Sequence, residues 1–367
     1  MEQRQKATRI WQAGVDAVSG YAATLTALND IEAPDQILAV GKAAAAMTRA
    51  ALDHFGPLPA LVVTKDGHGD ALPDHVRVIE ASHPVPDIRS LQAGRALREM
   101  VQSMGSSSHL LLLASGGASS LAEDLVPGKT LANLEQLNRK LLSEGLNISE
   151  MNAERRKLSQ IKGSGLLAQF KGAKATVLAI SDVPGDDLNV IGSGIGALPE
   201  PRDFQGVARI VASNKHARAA AARLAMAEGA PVLANEECLH DDLKSIAARL
   251  GPRLRNMPEG VMVFGGEPTV VLPRNPGKGG RNQALALALA REIAGIAGLT
   301  LLVGGTDGTD GPTQAAGAIV DGTIWGDGAE KALRDADSGS YLERANALFV
   351  TGPTGTNVMD LIVAIRS

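Results

Sequence analysis

Three short stretches near the C-terminal end of the chain combine glycine with ionisable residues: Gly265-Gly266-Glu267-Pro268-Thr269, Gly277-Lys278-Gly279-Gly280-Arg281-Asn282-Gln283 and Gly304-Gly305-Thr306-Asp307-Gly308-Thr309-Asp310-Gly311. Each adjoins an apolar run, so in an open α/β sheet all three belong beyond strand carboxyl ends, where ligands bind. Glycine lets backbone N–H groups close on an anion, and successive amides form a concave anion site. Arg281 and Lys278 add positive charge. Asp307 and Asp310 are candidates for Mg²⁺, which takes a few carboxylates together with phosphate oxygens and water. The chemistry these residue types suit is the binding of a phosphorylated ligand.

Similar junctions occur earlier. Lys42 follows the apolar strand Ile37-Leu38-Ala39-Val40 through Gly41 and precedes an alanine-rich helix over 43–54. It is either solvated or shares an anionic ligand with the helix dipole. His83 lies in the proline-fixed turn Ser82-His83-Pro84-Val85-Pro86-Asp87, where it can touch substrate or be structural. The most apolar strand, His109 to Ala114, runs into Ser115-Gly116-Gly117-Ala118-Ser119-Ser120. There Ser115, Gly116, Gly117, Ser119 and Ser120 offer amides and hydroxyls at a helix start, for an anion or for capping alone. Arg155, Arg156, Lys157 and Lys162 form a basic cluster that is a solvated face or turns partly toward ligand. Asp182 follows the buried strand 175–180 and is a candidate base or metal ligand.

These positions need elements to hold them. Apolar periodicity predicts helices over 4–28, 88–104, 130–144, 149–170, 215–228, 239–250 and 281–297, alternating with short strands. Residues 210–234 make one further βαβ-like unit, and Gly251-Pro252 with the turn through Gly260 reads as a boundary. Alternation of this kind marks layered α/β architecture, and 367 residues are enough for two domains. Aromatic residues are only 2% and net charge is −4, with no block of like charges. That speaks against base-stacking platforms, nucleic acid and anionic membranes. The single cysteine, Cys238, excludes an intrachain disulfide. With neither a signal peptide nor an apolar span, a cytoplasmic protein acting on a small molecule is expected.

Standard nucleotide motifs fail. Gly128-Lys129-Thr130 ends like a Walker A loop, but Glu123 stands where its first glycine belongs. Gly192-Ser193-Gly194-Ile195-Gly196-Ala197 satisfies a dinucleotide string, yet no strand leads into it and Pro199 and Pro201 prevent the helix that must follow.

Taken in chain order, Val40-Gly41-Lys42-Ala43-Ala44, His83 to Asp87, Ser115 to Ser120, Asn152 to Lys157 with Lys162-Gly163, Ser181-Asp182-Val183, Gly265 to Thr269, Gly279 to Gln283, Gly305 to Pro312 and Thr351 to Asn357 resemble the glycerate 2-kinase family, whose C-terminal part is called the MOFRL domain. The resemblance spans nearly the whole chain. It implies a Rossmann-like N-terminal domain over 1–255, a smaller α/β MOFRL domain over 256–367, and a cleft between them. It implies transfer of the ATP γ-phosphoryl group to the 2-hydroxyl of D-glycerate, with Mg²⁺, giving 2-phosphoglycerate in glycerate metabolism; a homodimer is compatible with it. Lys42 and Arg281 would be the cationic catalytic pair, and Asp182 and Asp307 would hold metal, with Asp310, or orient the hydroxyl. His83, Lys162, Glu267, Asn282 and Thr306 would join the serine turn in binding substrate or phosphate. Phosphoryl transfer depends mainly on positioning and charge neutralisation, which suits these residue types. In the family a longer segment usually follows the Ile191-Gly192-Ser193-Gly194 block, so the acceptor is less fixed than the reaction class. The alternatives are a non-catalytic phosphosugar-binding protein and the family's other label, hydroxypyruvate reductase, which needs a nicotinamide site.

Overall fold

The computed structural model describes residues 2–69, 72–143 and 148–367. Two compact units divide the chain, Ser19–Ser213 and the pair of segments Met1–Val18 and Asn214–Ser367. The division thus falls at 18/19 and 213/214, away from the border expected at 255/256. One cause lies in the first helix, expected over 4–28. It breaks into α1 (Glu2–Ala17) and α2 (Gly20–Ala27), because Ser19 caps α2 by accepting a hydrogen bond from Ala22 N at 3.1 Å. In α1, Trp11 is fully buried and meets Phe349 edge to face at 5.0 Å, which commits the helix to the discontinuous unit.

In the continuous unit, α2 is followed by β1 (Gln36–Val40), α3 (Ala44–Phe55), β2 (Ala60–Lys65), β3 (Arg77–Ala81), α4 (Ile88–Ser103) and β4 (His109–Ala114). Then come α5 (Ala118–Leu121), α6 (Leu131–Ser143), α7 (Ile148–Leu158), β5 (Lys174–Ile180) and β6 (Gln205–Ala212). The sheet order is β3-β2-β1-β4-β5-β6, with every pair parallel. This is the Rossmann order, and the direction of winding reverses between β1 and β4. Strands β1 and β4 are buried along their whole length, as central parallel strands covered on both faces must be. Helix α7 stops twelve residues short of the expected 170. Gly163 and Ser164 there take positive φ, and their N–H groups donate to Ser193 O and Gly194 O, both at 2.9 Å, which ends the helix and closes a loop-on-loop packing.

The discontinuous unit adds α8 (Asn214–Ala227), β7 (Val232–Glu237), α9 (Leu243–Arg255), β8 (Gly260–Gly266), α10 (Arg281–Glu292), β9 (Leu299–Gly305) and β10 (Gly317–Asp321) to α1. It closes with α11 (Ala329–Arg334), α12 (Ser338–Arg344), β11 (Leu348–Phe349) and β12 (Asp360–Arg366). Its sheet runs β11-β10-β9-β12-β8-β7, and only β7 and β8 pair in parallel. Strands β6 and β7 lie in different sheets, so the βαβ-like unit expected over 210–234 is not formed. Gly251-Pro252 lies inside α9 rather than at a boundary. Burial of Ile246, Ala247, Leu250 and Leu254 along one face carries the helix through a proline that alone costs about 3 kcal/mol. Cys238 is half-buried, and burial pushes its thiol upward. No helix among the described residues is long and apolar enough to cross a membrane.

Candidate active site

Lys42 and Ser115 leave adjacent parallel strands at the point where the winding reverses, the place where open α/β sheets bind ligands. The two turns interlock. Lys42 N donates to Gly116 O at 2.9 Å, Ala43 N to Ser115 Oγ at 3.1 Å, and Ser115 N to Val40 O at 3.0 Å. Gly41 has φ +127°, and a Cβ there would lie 2.2 Å from Ser115 Oγ, so only glycine lets the strands end this close together. Gly117, at φ +86°, would place a Cβ 3.1 Å from His83 Cδ2 and 3.2 Å from Lys42 Cγ. Glycine turn, imidazole and lysine stem therefore meet at one point. Asp182 follows β5, two strands from β1 and so roughly 10 Å along the same edge.

Beside this edge lies a cavity of about 200 Å³ lined by His83, Gly117, Ser119, Ser120, Arg155 and Lys162, among others. Ser119 Oγ lies 2.8 Å from Ser193 Oγ, and Ser120 Oγ donates to Gly117 O at 3.1 Å. Helix α5 is one turn long, so the helix start expected after Gly117 carries little dipole. Lys162 is buried against Glu123, so its charge reaches the cavity already paired. Gly192 to Ala197 does not form a strand-to-helix turn. It is a short 3-10 turn packed on the Gly163 loop.

In the discontinuous unit, β8 and β9 both run toward the glycine-rich turns, and antiparallel β12 starts between them. Asp360, its first residue, pairs across from Gly266 on one side and Gly305 on the other. Arg281 opens α10 and points at that carboxylate, donating from Nε to Oδ2 at 2.8 Å and from Nη2 to Oδ1 at 3.2 Å. Its Nη1 donates to Glu267 Oε1 at 2.5 Å, and Asn282 Nδ2 donates to Asp360 Oδ1 at 2.9 Å. Burial lifts the Asp360 carboxyl to about 6, against the opposing pull of Arg281 and Asn282. Burial also opposes the Arg281 charge, yet Asp360 and Glu267 together hold its pKa above the ordinary value. Asn282 Oδ1 is a buried acceptor with no donor among the described residues, a polar atom suited to a water or a ligand hydroxyl.

Several expected residues have other work. Asp310 is nearly fully buried and accepts from Asn282 N at 3.0 Å, Gln283 N at 2.8 Å and Gln283 Nε2 at 2.9 Å. Its oxygens are engaged at the start of α10, beside its expected role as a metal ligand. Burial raises its pKa, against those hydrogen bonds. Thr306 Oγ1 donates to Met359 O at 2.7 Å and accepts from Val358 N at 2.9 Å, tying its turn to the start of β12. Lys278 pairs with Glu343 at 3.0 Å on the surface. Asp307 Oδ1 accepts from Thr309 N and Thr309 Oγ1, at 3.0 and 3.1 Å, and stays half-buried on its turn. No group of three or more His, Cys, Asp or Glu suited to a metal ion occurs among the described residues. A metal bound here would take one or two carboxylates from the chain and its other ligands from phosphate and water, which is the usual habit of Mg²⁺. Either Asp182, in the continuous unit, or Asp307, in the discontinuous one, fits that modest demand.

Sequence reasoning missed Asp360. Its signal was a lone carboxylate opening the apolar run Leu361-Ile362-Val363-Ala364-Ile365, directly after the Thr351 to Asn357 turn.

Comparison with known proteins adds the lineage. A family model described as a domain of unknown function, DUF4147, matches residues 6–226, and the MOFRL family matches 260–360. The chain is 35% identical to the D-glycerate 2-kinase of Thermotoga maritima, over 90% of both chains. It is 31% identical to the glycerate 2-kinase of Pyrococcus horikoshii, over 100% of this chain and 98% of that one. The crystal structure of the Thermotoga maritima glycerate kinase superposes with a TM-score of 0.90 at 31% identity, covering 100% of both chains.

Proposed function

The chain belongs to the glycerate 2-kinase family, and on that premise we propose that it transfers the γ-phosphoryl group of ATP to the 2-hydroxyl of D-glycerate, giving ADP and 2-phosphoglycerate. The observation that carries the reading is Lys42 at the winding reversal of a 3-2-1-4-5-6 sheet, braced by the Ser115 to Gly117 turn. A lysine at that position belongs to the crevice where such sheets hold phosphorylated ligands.

In this reading Lys42 neutralises charge on the transferred phosphoryl oxygens, and Arg281, oriented by Asp360, supplies a second planar set of donors. Asp182 or Asp307 orients the attacking hydroxyl or holds Mg²⁺. The metal, when bound, supplies charge neutralisation across the polyphosphate. The amides of Gly116 and Gly117 and the hydroxyls of Ser119 and Ser120 receive anionic oxygens or substrate hydroxyls, with His83 beside them. Glu267 holds Arg281 from the other side, and Asn282 offers its unpaired Oδ1 to a donor.

The test is product identity. With ATP, Mg²⁺ and D-glycerate, ³¹P-coupled NMR of the product is expected to show the phosphate on C2, with ADP released only when glycerate is present. Phosphate on C3, or no glycerate-dependent ADP, would remove the assignment. Oxidation of NADH by hydroxypyruvate, lost on Lys42→Ala, would favour the reductase instead.

A further inference from the structure

Glu267 grips Arg281 through its carboxylate, and the backbone of Glu267 is gripped in turn. Its N–H donates to His240 Nδ1 at 3.3 Å, and His240 Nε2 donates to Glu237 Oε1 at 3.1 Å. A backbone N–H can only donate, so Nδ1 is the unprotonated nitrogen and Nε2 carries the hydrogen. The imidazole thus joins two glutamates in one fixed orientation. Glu237 ends β7, and its other oxygen, Oε2, accepts from Arg218 Nη2 at 3.1 Å.

Arg218 is buried on α8, where its Nε donates to Asn214 Oδ1 at 2.8 Å and its Nη1 to Asn235 Oδ1 at 2.7 Å. Asn214 Nδ2 donates to Asp360 O at 3.1 Å. Because the Asp360 side chain meets Arg281, the series of bonds closes on itself through Glu267, His240, Glu237, Arg218 and Asn214. Every member belongs to the discontinuous unit.

The turn after β8 is shaped to admit this ring. Gly266 has φ +134°, and a Cβ there would crowd His240 Cε1 and Nε2, both at 3.1 Å. A Cβ on Gly265 would overlap Asn214 Oδ1 and come within 2.8 Å of Arg218 Cδ. Both glycines before Glu267 therefore make room for side chains whose hydrogen bonds end on Arg281. In such a network each bond orients the next, so losing one link is felt at the others.

We propose that His240 is a positioning residue for Arg281: by accepting the Glu267 N–H it fixes the residue whose carboxylate holds one arm of the guanidinium. Glu237, held by Arg218, sets the imidazole. The inference rests on the kinase reading above and deepens it, since it adds to the transferring site a residue that touches neither substrate nor metal.

Steady-state kinetics on the full chain test this. His240→Ala is expected to lower kcat about 3- to 10-fold, the scale of one hydrogen bond, with KM for ATP and for D-glycerate near wild type. The two amide variants separate the two ring nitrogens. His240→Asn keeps an acceptor near Nδ1 and should recover most of the loss, whereas His240→Gln keeps only a donor near Nε2 and should not. In an Arg281→Ala background, His240→Ala should cost nothing further. Equal losses in both backgrounds, or Asn doing no better than Gln, overturn the proposal. Nitrogen-15 NMR supplies a readout that does not depend on turnover: the Arg281 Nε–H resonance should move in His240→Ala and return in His240→Asn. An unmoved resonance also overturns the proposal. Should no variant release ADP with glycerate, the kinase reading falls, and the Arg281 resonance still decides whether His240 positions the guanidinium.

Discussion

Asp360 and Arg281 face each other through two hydrogen bonds, 2.8 and 3.2 Å, although 79 residues separate them in the chain. The pair joins the start of an antiparallel strand to the start of a helix. It fixes the plane of the guanidinium, which a lysine at position 281 would not have.

That pairing has a pH signature. The Asp360 carboxyl sits at about 6 in the folded chain, against an ordinary 3.8, because burial disfavours its charge. A carboxyl whose folded pKa lies above its unfolded one takes up a proton on folding between the two values. Its contribution to stability therefore declines as pH rises from about 4 to about 6, by about 3 kcal/mol for a shift of about two units. Urea unfolding across this range should show the decline in the wild type, and Asp360→Asn should flatten it. An identical slope in both proteins would place the titration elsewhere.

Activity should carry the same limb with opposite sense. If ionised Asp360 orients Arg281, kcat falls as pH drops below about 6. Asp360→Asn should remove the limb while lowering the plateau. A limb that persists in the variant belongs to another group.

Lys42→Ala and Arg281→Ala are each expected to lower kcat about 10²-fold or more, the scale for losing a transition-state charge partner. Arg281→Ala should also destabilise the fold near neutral pH by about 3–5 kcal/mol, since it leaves a buried carboxylate without its cation. Near wild-type turnover in both variants would withdraw the proposed roles.

Asp310→Ala separates a cap from a metal ligand. Losing the hydrogen bonds at the start of α10 should cost about 1–2 kcal/mol. The Mg²⁺ concentration for half-maximal activity should stay where it was. A large rise in that concentration would return Asp310 to the metal.

Gly41→Ala tests the interlocked turns. With φ at +127° and Ser115 Oγ 2.2 Å from the new methyl carbon, β1 and β4 must move apart at their carboxyl ends. The expected loss is about 1–3 kcal/mol in thermal unfolding, together with weaker nucleotide or glycerate binding. A variant as stable and as active as wild type would mean that the edge tolerates widening.

The parallel sheet was legible because β1 and β4 are unbroken apolar runs ending in glycine turns, a pattern that needs cover on both faces. Lys42, Ser115 and Asp182 could be placed on one edge for the same reason. Strand direction in the second sheet was not legible. Apolar runs such as 361–365 look alike whether they ascend or descend, and only descent brings Asp360 to Arg281. Lys162 illustrates a second limit. Its neighbours continue a helical pattern, but Gly163 and Ser164 take positive φ against a distant loop, and Glu123, 39 residues earlier, captures the ammonium. Partners so far apart in sequence leave no local mark.

Helix α1 lies in the unit completed by β12, with Gln3 bonded to Gly298 O and Thr300 Oγ1 donating to Gln3 Oε1. During synthesis, then, the first helix emerges well before the strands that shelter Trp11. The uninterrupted stretch 19–213 can mature meanwhile, while helix α1 waits for strands made long after it.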